Sequence, residues 1–361
     1  MLSHLLERLD PFKYQQSVTS LNDLNTLGRR FQELGMSVNA LNMSHGPAAA
    51  LSVSKLVNHI RKQKPDVVQT WLYHADLVGG IAGRLARQNN IVWNIRHADL
   101  NPKTDKRSTI LTARTCALLS RWVPQKIICN SETARDIHVE LGYPSNKFKI
   151  IPNGVDIEKF KPDLASRERM RLQLGIGPEQ PLIGLIGRFH SQKDHEGFLS
   201  SAEIMSRQHD SVRYLFCGEN ISFKNQQLKD WVYKYHLEDR VSLLGIRNDM
   251  PKIMSALDIV AVASSHGEAF PNVLVEAMAS GVPCVTTDVG DSRQIVDTTG
   301  FSVPPRDPKL MANACLKLLE KIRKNQNHLG RLARQRATEH YSINNVVEMY
   351  QKVYESLSRP S

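Results

Sequence analysis

The sequence predicts an α/β protein made of two doubly wound halves. Apolar, strand-like runs alternate with helical patterns from one end to the other, which is the signature of parallel sheets covered by helices on both faces. The alternation is interrupted once, at the turn-forming string Ile151-Pro-Asn-Gly-Val-Asp156, and then starts again. A length of 361 residues exceeds one ordinary domain and suits two of similar size.

In the first half, strands are expected at 15–21, 38–43, 66–71, 91–96, 126–130 and 148–151, with helical patterns between them such as 48–64 and 75–87. Ligands on such sheets bind at the carboxyl ends of the strands, which places Trp71, His74 and His97 on the functional rim. After the turn, strands are expected at 182–187, 212–217, 241–244, 259–263, 284–287 and 301–303. The apolar periodicity of 346–357 predicts a terminal amphipathic helix.

The most informative stretch is 264–288, SSHGEAFPNVLVEAMASGVPCVTTD. A small polar loop leads to Glu268, Ala269, Phe270 and Pro271, and a helix is expected to begin at Pro271, since proline has no N–H to lose in a first helical turn. Gly281 supplies the stop, and 283–287 follows as a buried strand. Glu268 in the loop and Glu276 in the second turn have seven residues between them. At that spacing both can face a ligand lying across the helix N-terminus, where the amides of Asn272 and Val273 and the helix dipole favour an anion. A phosphorylated sugar offers an anion to the amides and hydroxyls to the carboxylates.

This stretch resembles the E-x7-E signature of the family 4 retaining glycosyltransferases, which have the GT-B fold. Gly187, Arg188 and Lys193, in the stretch directly after the strand 182–186, resemble the diphosphate clamp of that family: the glycine allows a sharp turn, Arg a bidentate fork and Lys a point charge. The loop with Ile246 and Arg247 resembles the one that holds the nucleobase. His97 resembles the first-domain histidine that family members point at the donor sugar, and 151–156 followed by Phe160 resembles the interdomain linker. The resemblance implies two Rossmann-like domains facing a cleft: an N-terminal domain over 1–155, a nucleotide-sugar-binding domain over 156–338, and a C-terminal helix, 339–361, crossing back to the first domain. It implies that Glu268 grips sugar hydroxyls, acting with His97 in catalysis. Arg188, Lys193, Ile246, Arg247, Ala269, Phe270, Asn272, Val273 and Glu276 would hold the donor, Glu276 through the ribose. In one respect the chain departs from the family. Family members begin with a strand and a glycine-rich loop, whereas MLSHLLERLD resembles the helix after that loop, so the first strand is expected to be absent.

Composition bounds the rest. Hydrophobic residues at 41% and charged residues at 23% are those of a soluble globular protein. The start has acids where a signal peptide needs an apolar core, and the longest apolar stretches, such as 77–86, are too short for a bilayer. Five scattered cysteines without metal-type spacing read as buried thiols of a reducing cytosol. No metal or cofactor is expected, because no Asp-x-Asp stands at a strand end. The net charge is +11, and residues 1–157 carry 20 Lys/Arg against 12 Asp/Glu, or +8 of it. That asymmetry suits an anionic partner such as a membrane face or a lipid phosphate; nucleic acid is disfavoured because no basic helix is interleaved with aromatics.

The expectation is therefore a cytoplasmic, metal-independent transferase. It would move a sugar from a nucleotide diphosphate sugar, UDP-hexose or UDP-N-acetylhexosamine ahead of a guanosine donor, to a cell-envelope, exopolysaccharide or lipid-linked glycan, with peripheral contact at the inner membrane face. The alternative is a non-catalytic relative that binds nucleotide sugars.

Overall fold

The computed structural model describes residues 1–43, 48–100, 106–324 and 328–358, and the chain divides into two units. The first comprises Met1–Asn153 and Ile343–Ser361, the second Gly154–Ser342.

In the first unit, strands β1 (Ser17–Ser20) and β2 (Ser37–Ala40) pair in parallel as a small sheet. A second parallel sheet runs in sequence order through β3 (Val68–Gln69), β4 (Ile91–Ile95), β5 (Lys126–Cys129) and β6 (Phe148–Ile150). All five residues of β4 are buried, as expected of a central parallel strand covered on both faces. The helix Ala48–Gln63 serves both sheets: Leu56, Val57 and Ile60 pack with Val68 of β3 and with Leu21 and Leu41, which follow β1 and β2. The helix Ile343–Ser358 is last in the chain, yet its Ile343, Val346, Val347, Tyr350, Val353 and Leu357 share a core with Leu5, Val92, Ile128 and Ile151. Those six recur at helical spacing, so one stripe of the helix is buried.

The second unit is a six-stranded parallel sheet of β7 (Leu182–Ile186), β8 (Arg213–Cys217), β9 (Val241–Leu243), β10 (Ile259–Val262), β11 (Cys284–Thr287) and β12 (Phe301–Val303). Their order in space is β12-β11-β10-β7-β8-β9. The chain lays down β7, β8 and β9 in one direction, then returns to the other side of β7 for β10. The reversal between β7 and β10 is the topological switch point of a Rossmann sheet, where the loops leaving neighbouring strands diverge and open a crevice. One face is covered by the helices His195–Gln208 and Pro308–Lys324, which bury Phe198, Leu199, Met311 and Leu318 against it. The other is covered by Met250–Ala256 and Asn272–Ala279, through Ile253, Met254, Leu274 and Met278. All five cysteines are free and buried. No helix among the described residues is long and apolar enough to cross a membrane.

Leu72, three residues past β3, has φ 74° and ψ 155°, a conformation nearly confined to glycine, and it turns the chain into the helix Tyr73–Leu85. The turn carries Asp76 inward, to 1% exposure. Burial raises its carboxyl to about 8, although hydrogen bonds from Thr70 Oγ1 and the Asn94 amide oppose the rise. At pH 7 the folded unit therefore holds a proton on Asp76 that the unfolded chain, with its ordinary value of 3.8, has released. The contribution is whole below the unfolded value and is lost as pH rises towards the folded one, with a limiting slope of about 1.4 kcal/mol per pH unit. Asp76→Asn, which keeps the shape of the protonated acid, should flatten the fall in urea-unfolding stability across this window; an unchanged slope would mean that folded Asp76 is ionised.

Candidate active site

The loops leaving the carboxyl ends of five adjacent strands are laced together by backbone hydrogen bonds. Gly218 N donates to Gly245 O at 2.9 Å, joining the loops after β8 and β9, and Phe189 N donates to Glu219 O at 2.8 Å, joining those after β7 and β8. Across the switch point Ser265 N donates to Gln192 O at 2.8 Å, and Asp291 N donates to Ala269 O at 3.2 Å, joining the loops after β10 and β11.

The crossing at the switch point carries charge as well. Lys193, at the end of the loop after β7, is ion-paired to Glu268 of the loop after β10, and the two side chains are 19% and 9% exposed. Ser264 Oγ donates to the same carboxylate oxygen at 2.7 Å, and Thr287 Oγ1 holds the Ser264 carbonyl at 2.6 Å. Beneath them Gly290 adopts φ 60°, and a Cβ there would sit 2.1 Å from the Glu268 carbonyl oxygen. Only glycine lets the backbone come so near. Ser264, Thr287 and Gly290 are site residues that sequence reasoning missed; the one available signal was the run of small polar residues before Glu268.

Arg188 is exposed, and its guanidinium holds no partner among the described residues. His190 beside it is pushed below its ordinary value, first by partial burial and then by the positive charge of Arg188, with Lys193 adding to it. Gly187 lies under the Lys193 side chain. On the next loops Ile246 is 71% exposed, while Arg247 is committed to Asp249 through contacts of 2.8 and 2.7 Å.

The helix after Glu268 spans Asn272–Ala279, with Pro271 as its N-cap rather than its first residue. The extended ψ of 105° at Pro271 leaves its carbonyl to accept from Leu274 N at 3.1 Å. At the other end Gly281, at φ 73°, donates to Met278 O, and Val282 N donates to Ala277 O, the paired bonds of a Schellman cap. Ala269 and Phe270 are buried, Phe270 edge-on to Tyr341, so they shape the loop from beneath. Asn272 is exposed and Val273 half-buried at the helix start. Glu276 is half-buried in the second turn, where desolvation raises its carboxyl and Lys159 partly offsets the rise. The structure thus joins Gly187, Lys193 and Glu268 directly, whereas Ile246, Arg247 and Glu276 stand on separate elements of the same unit.

His97 belongs to the first unit, two residues past β4 and edge-on to the Tyr73 ring at 6.3 Å. Tyr73 Oη lies 2.7 Å from His138 Nε2, and His138 Nδ1 lies 2.6 Å from the Ala134 carbonyl. A carbonyl only accepts, so Nδ1 carries the proton and Nε2 accepts from the tyrosine. Burial lowers His138 to about 4 and keeps it neutral. Arg96 anchors the strand end that carries His97: it donates to Asn94 Oδ1 at 2.7 Å, to Asn153 Oδ1 at 2.5 Å and to the Tyr350 hydroxyl, and lies over the Trp71 ring at 4.8 Å.

Two family descriptions match the chain: Glycosyltransferase Family 4 over residues 4–159 and Glycosyl transferases group 1 over residues 180–321. The chain belongs to glycosyltransferase family 4. Among its relatives is the UDP-Gal:alpha-D-GlcNAc-diphosphoundecaprenol alpha-1,3-galactosyltransferase of Escherichia coli, 27% identical over 74% of this chain and 70% of the relative. A D-inositol 3-phosphate glycosyltransferase of Corynebacterium urealyticum is 29% identical over 80% of this chain and 74% of the relative. Among solved structures, Anabaena HepE in complex with UDP matches 96% of this glycosyltransferase and 94% of its own chain, with a TM-score of 0.83 at 22% identity. A glycosyltransferase from Rickettsia africae matches 99% of this chain and 94% of its own, with a TM-score of 0.85 at 18% identity. At those identities the likeness establishes the fold, GT-B.

In this glycosyltransferase the Lys193–Glu268 pair should contribute to folding as well as to the site. Lys193→Met leaves a carboxylate in a pocket that exposes 9% of it, a loss of about 3 kcal/mol in urea unfolding. Adding Glu268→Gln should restore most of that loss. A single mutant as stable as the parent would show that the pair is open in solution.

Proposed function

We propose that this glycosyltransferase moves a hexose-type unit from a UDP-sugar to a cell-envelope or lipid-linked glycan, with retention of configuration and without a metal. The observation that carries this reading is the pairing of Lys193 with Glu268 across the switch point, with the exposed Arg188 guanidinium on the same loop as Lys193. An ammonium has three donors, so Lys193 can keep one on Glu268 and turn the others to a diphosphate, to which Arg188 adds a bidentate fork. Glu268 then lies where the sugar joins that diphosphate and accepts from its hydroxyls. Glu276 accepts from the ribose. The E. coli relative is named for a UDP-Gal donor and a diphosphoundecaprenol-linked acceptor, and a solved structure of HepE is a complex with UDP-glucose. Both favour uridine, and the E. coli relative favours a lipid diphosphate for the acceptor.

Retention follows a front-side route. The bond from the sugar C1 to the diphosphate oxygen breaks, the acceptor oxygen bonds C1 on the same face, and the acceptor proton passes to the departing phosphate, leaving the glycoside and UDP. Negative charge grows on the leaving diphosphate, and Arg188, Lys193 and the amides at the start of Asn272–Ala279 meet it. Two cationic side chains and a helix end do here what a divalent ion does in metal-dependent transferases, so turnover should survive EDTA; loss of activity restored by magnesium or manganese would overturn the metal-free reading. The basic first unit contributes peripheral contact with an anionic membrane face.

Two measurements test the roles. Arg188→Ala should weaken UDP binding by about 2–3 kcal/mol in calorimetry, the scale of a lost charge-assisted group. An unchanged affinity in the folded variant would remove Arg188 from the donor site. His97→Ala should leave UDP affinity intact while lowering UDP release by a factor on the order of tens to thousands, since an interaction made chiefly in the transition state appears in kcat. Tight UDP-sugar binding with no UDP release from the parent protein, with membrane extract or without it, would instead support a binding protein.

A further inference from the structure

The helix Arg107–Leu119 is amphipathic in an inverted sense. It buries its small side chains, Ala113, Cys116 and Ala117, against the first unit and turns large ones outward. Leu111 is 67% exposed, Leu118 73%, and Trp122, in the turn that follows, 69%. Arg107, Leu111, Arg114 and Leu118 recur at steps of four, three and four, which on a helix places them within an arc of about 60°. The exposed leucines are not a core face left uncovered, because the helix already has a core face on its other side.

The backbone under Trp122 is fixed. Arg84 donates through Nε to Val123 O at 3.0 Å and through Nη2 to Trp122 O at 2.7 Å. Lys147 Nζ donates to Ser120 O, Arg121 O and Pro124 O at 3.0, 2.6 and 2.8 Å. Five carbonyl contacts therefore hold a turn whose indole nonetheless stands in solvent. The charge along this segment has one sign. Lys106, Arg107, Arg114 and Arg121 are exposed, and no Asp or Glu occurs between Lys106 and Ser131.

We propose that this face, Arg107, Leu111, Arg114 and Leu118 with Arg121 and Trp122, docks on an anionic lipid bilayer. The leucines and the indole enter the boundary between headgroups and acyl chains, and the guanidinium groups pair with lipid phosphates around them. Tryptophan favours that depth because its ring is apolar and its N–H polar. A nucleic acid would match the charge and leave the leucines in water, and an acidic protein would meet the same difficulty unless it brought an apolar patch of its own. The inference rests on the proposed peripheral contact only for its purpose; the surface is argued from its own side chains.

The test uses the whole protein without substrate, so that its failure and that of the transferase reading are separate. Cosedimentation is measured with vesicles of phosphatidylcholine alone and of phosphatidylcholine mixed with phosphatidylglycerol. The parent should bind the mixed vesicles, more weakly as salt rises, with a blue shift in tryptophan emission that Trp122→Phe abolishes. Leu118→Glu with Trp122→Glu should lower binding on the order of tenfold or more, and Arg114→Glu with Arg121→Glu should do the same, with UDP affinity unchanged in both. Equal binding by these variants would overturn the proposal, as would binding to RNA but not to vesicles. A self-association that the Leu118/Trp122 variant abolishes, in a protein that ignores vesicles, would make the face a contact between copies of this chain.

Discussion

The ion pair between Lys193 and Glu268 is the constraint on which the rest of the second unit depends. Its partners stand on the loops after two strands that are neighbours only because the sheet reverses its order between β7 and β10, so the pair reports the topology and the chemistry at once. A carboxylate with 9% exposure needs a cation, a cation at a strand end needs an anchor, and each supplies the other. The backbone bonds that tie Gln192 to Ser265 and Ala269 to Asp291 keep the two loops in register, and the glycine at 290 leaves room for the Glu268 backbone to descend.

The fold was legible because it is written in local patterns. Each expected strand is present, since an apolar run of four or five residues bounded by turn-formers has few other uses in a chain of this composition. Ends were less legible. Pro271 falls one place outside its helix because its extended backbone makes it a cap, and Tyr73–Leu85 begins before the expected Ala75 because Leu72 takes a backbone conformation that no leucine advertises. The site was legible as a set of parts. Gly187, Arg188, Lys193, Glu268 and Glu276 stood out by type and by position after strands, but the bond between Lys193 and Glu268 spans 75 residues and leaves no periodicity in the sequence. The supports, Ser264, Thr287 and Gly290, are small residues of ordinary kind whose role is decided by what lies above them.

In the first unit the comparable constraint is Arg96. Its guanidinium reaches the end of β4, the turn at Asn153 and the helix Ile343–Ser358 through Tyr350, and it packs on Trp71. Burial disfavours its charge while the Tyr350 hydroxyl supports it, so the position of this cation is dictated by acceptors from three distant parts of the chain. His97, next in sequence, inherits that rigidity, and the neutral His138 fixes Tyr73 beside it from the opposite direction.

The place where the chain passes between units has a consequence for how such a protein can be cut and rebuilt. Val155 and Ser342 form a parallel bridge, and Val155 N donates to Tyr341 O at 2.8 Å, so the second unit is entered and left at one point. It is an insertion: a cassette whose ends touch, which a short splice can close or a homologous cassette replace. The first unit has the opposite character. Because Val346, Tyr350 and Val353 complete its core, shortening the chain at its far end would strip the half that is read first and leave the inserted half whole.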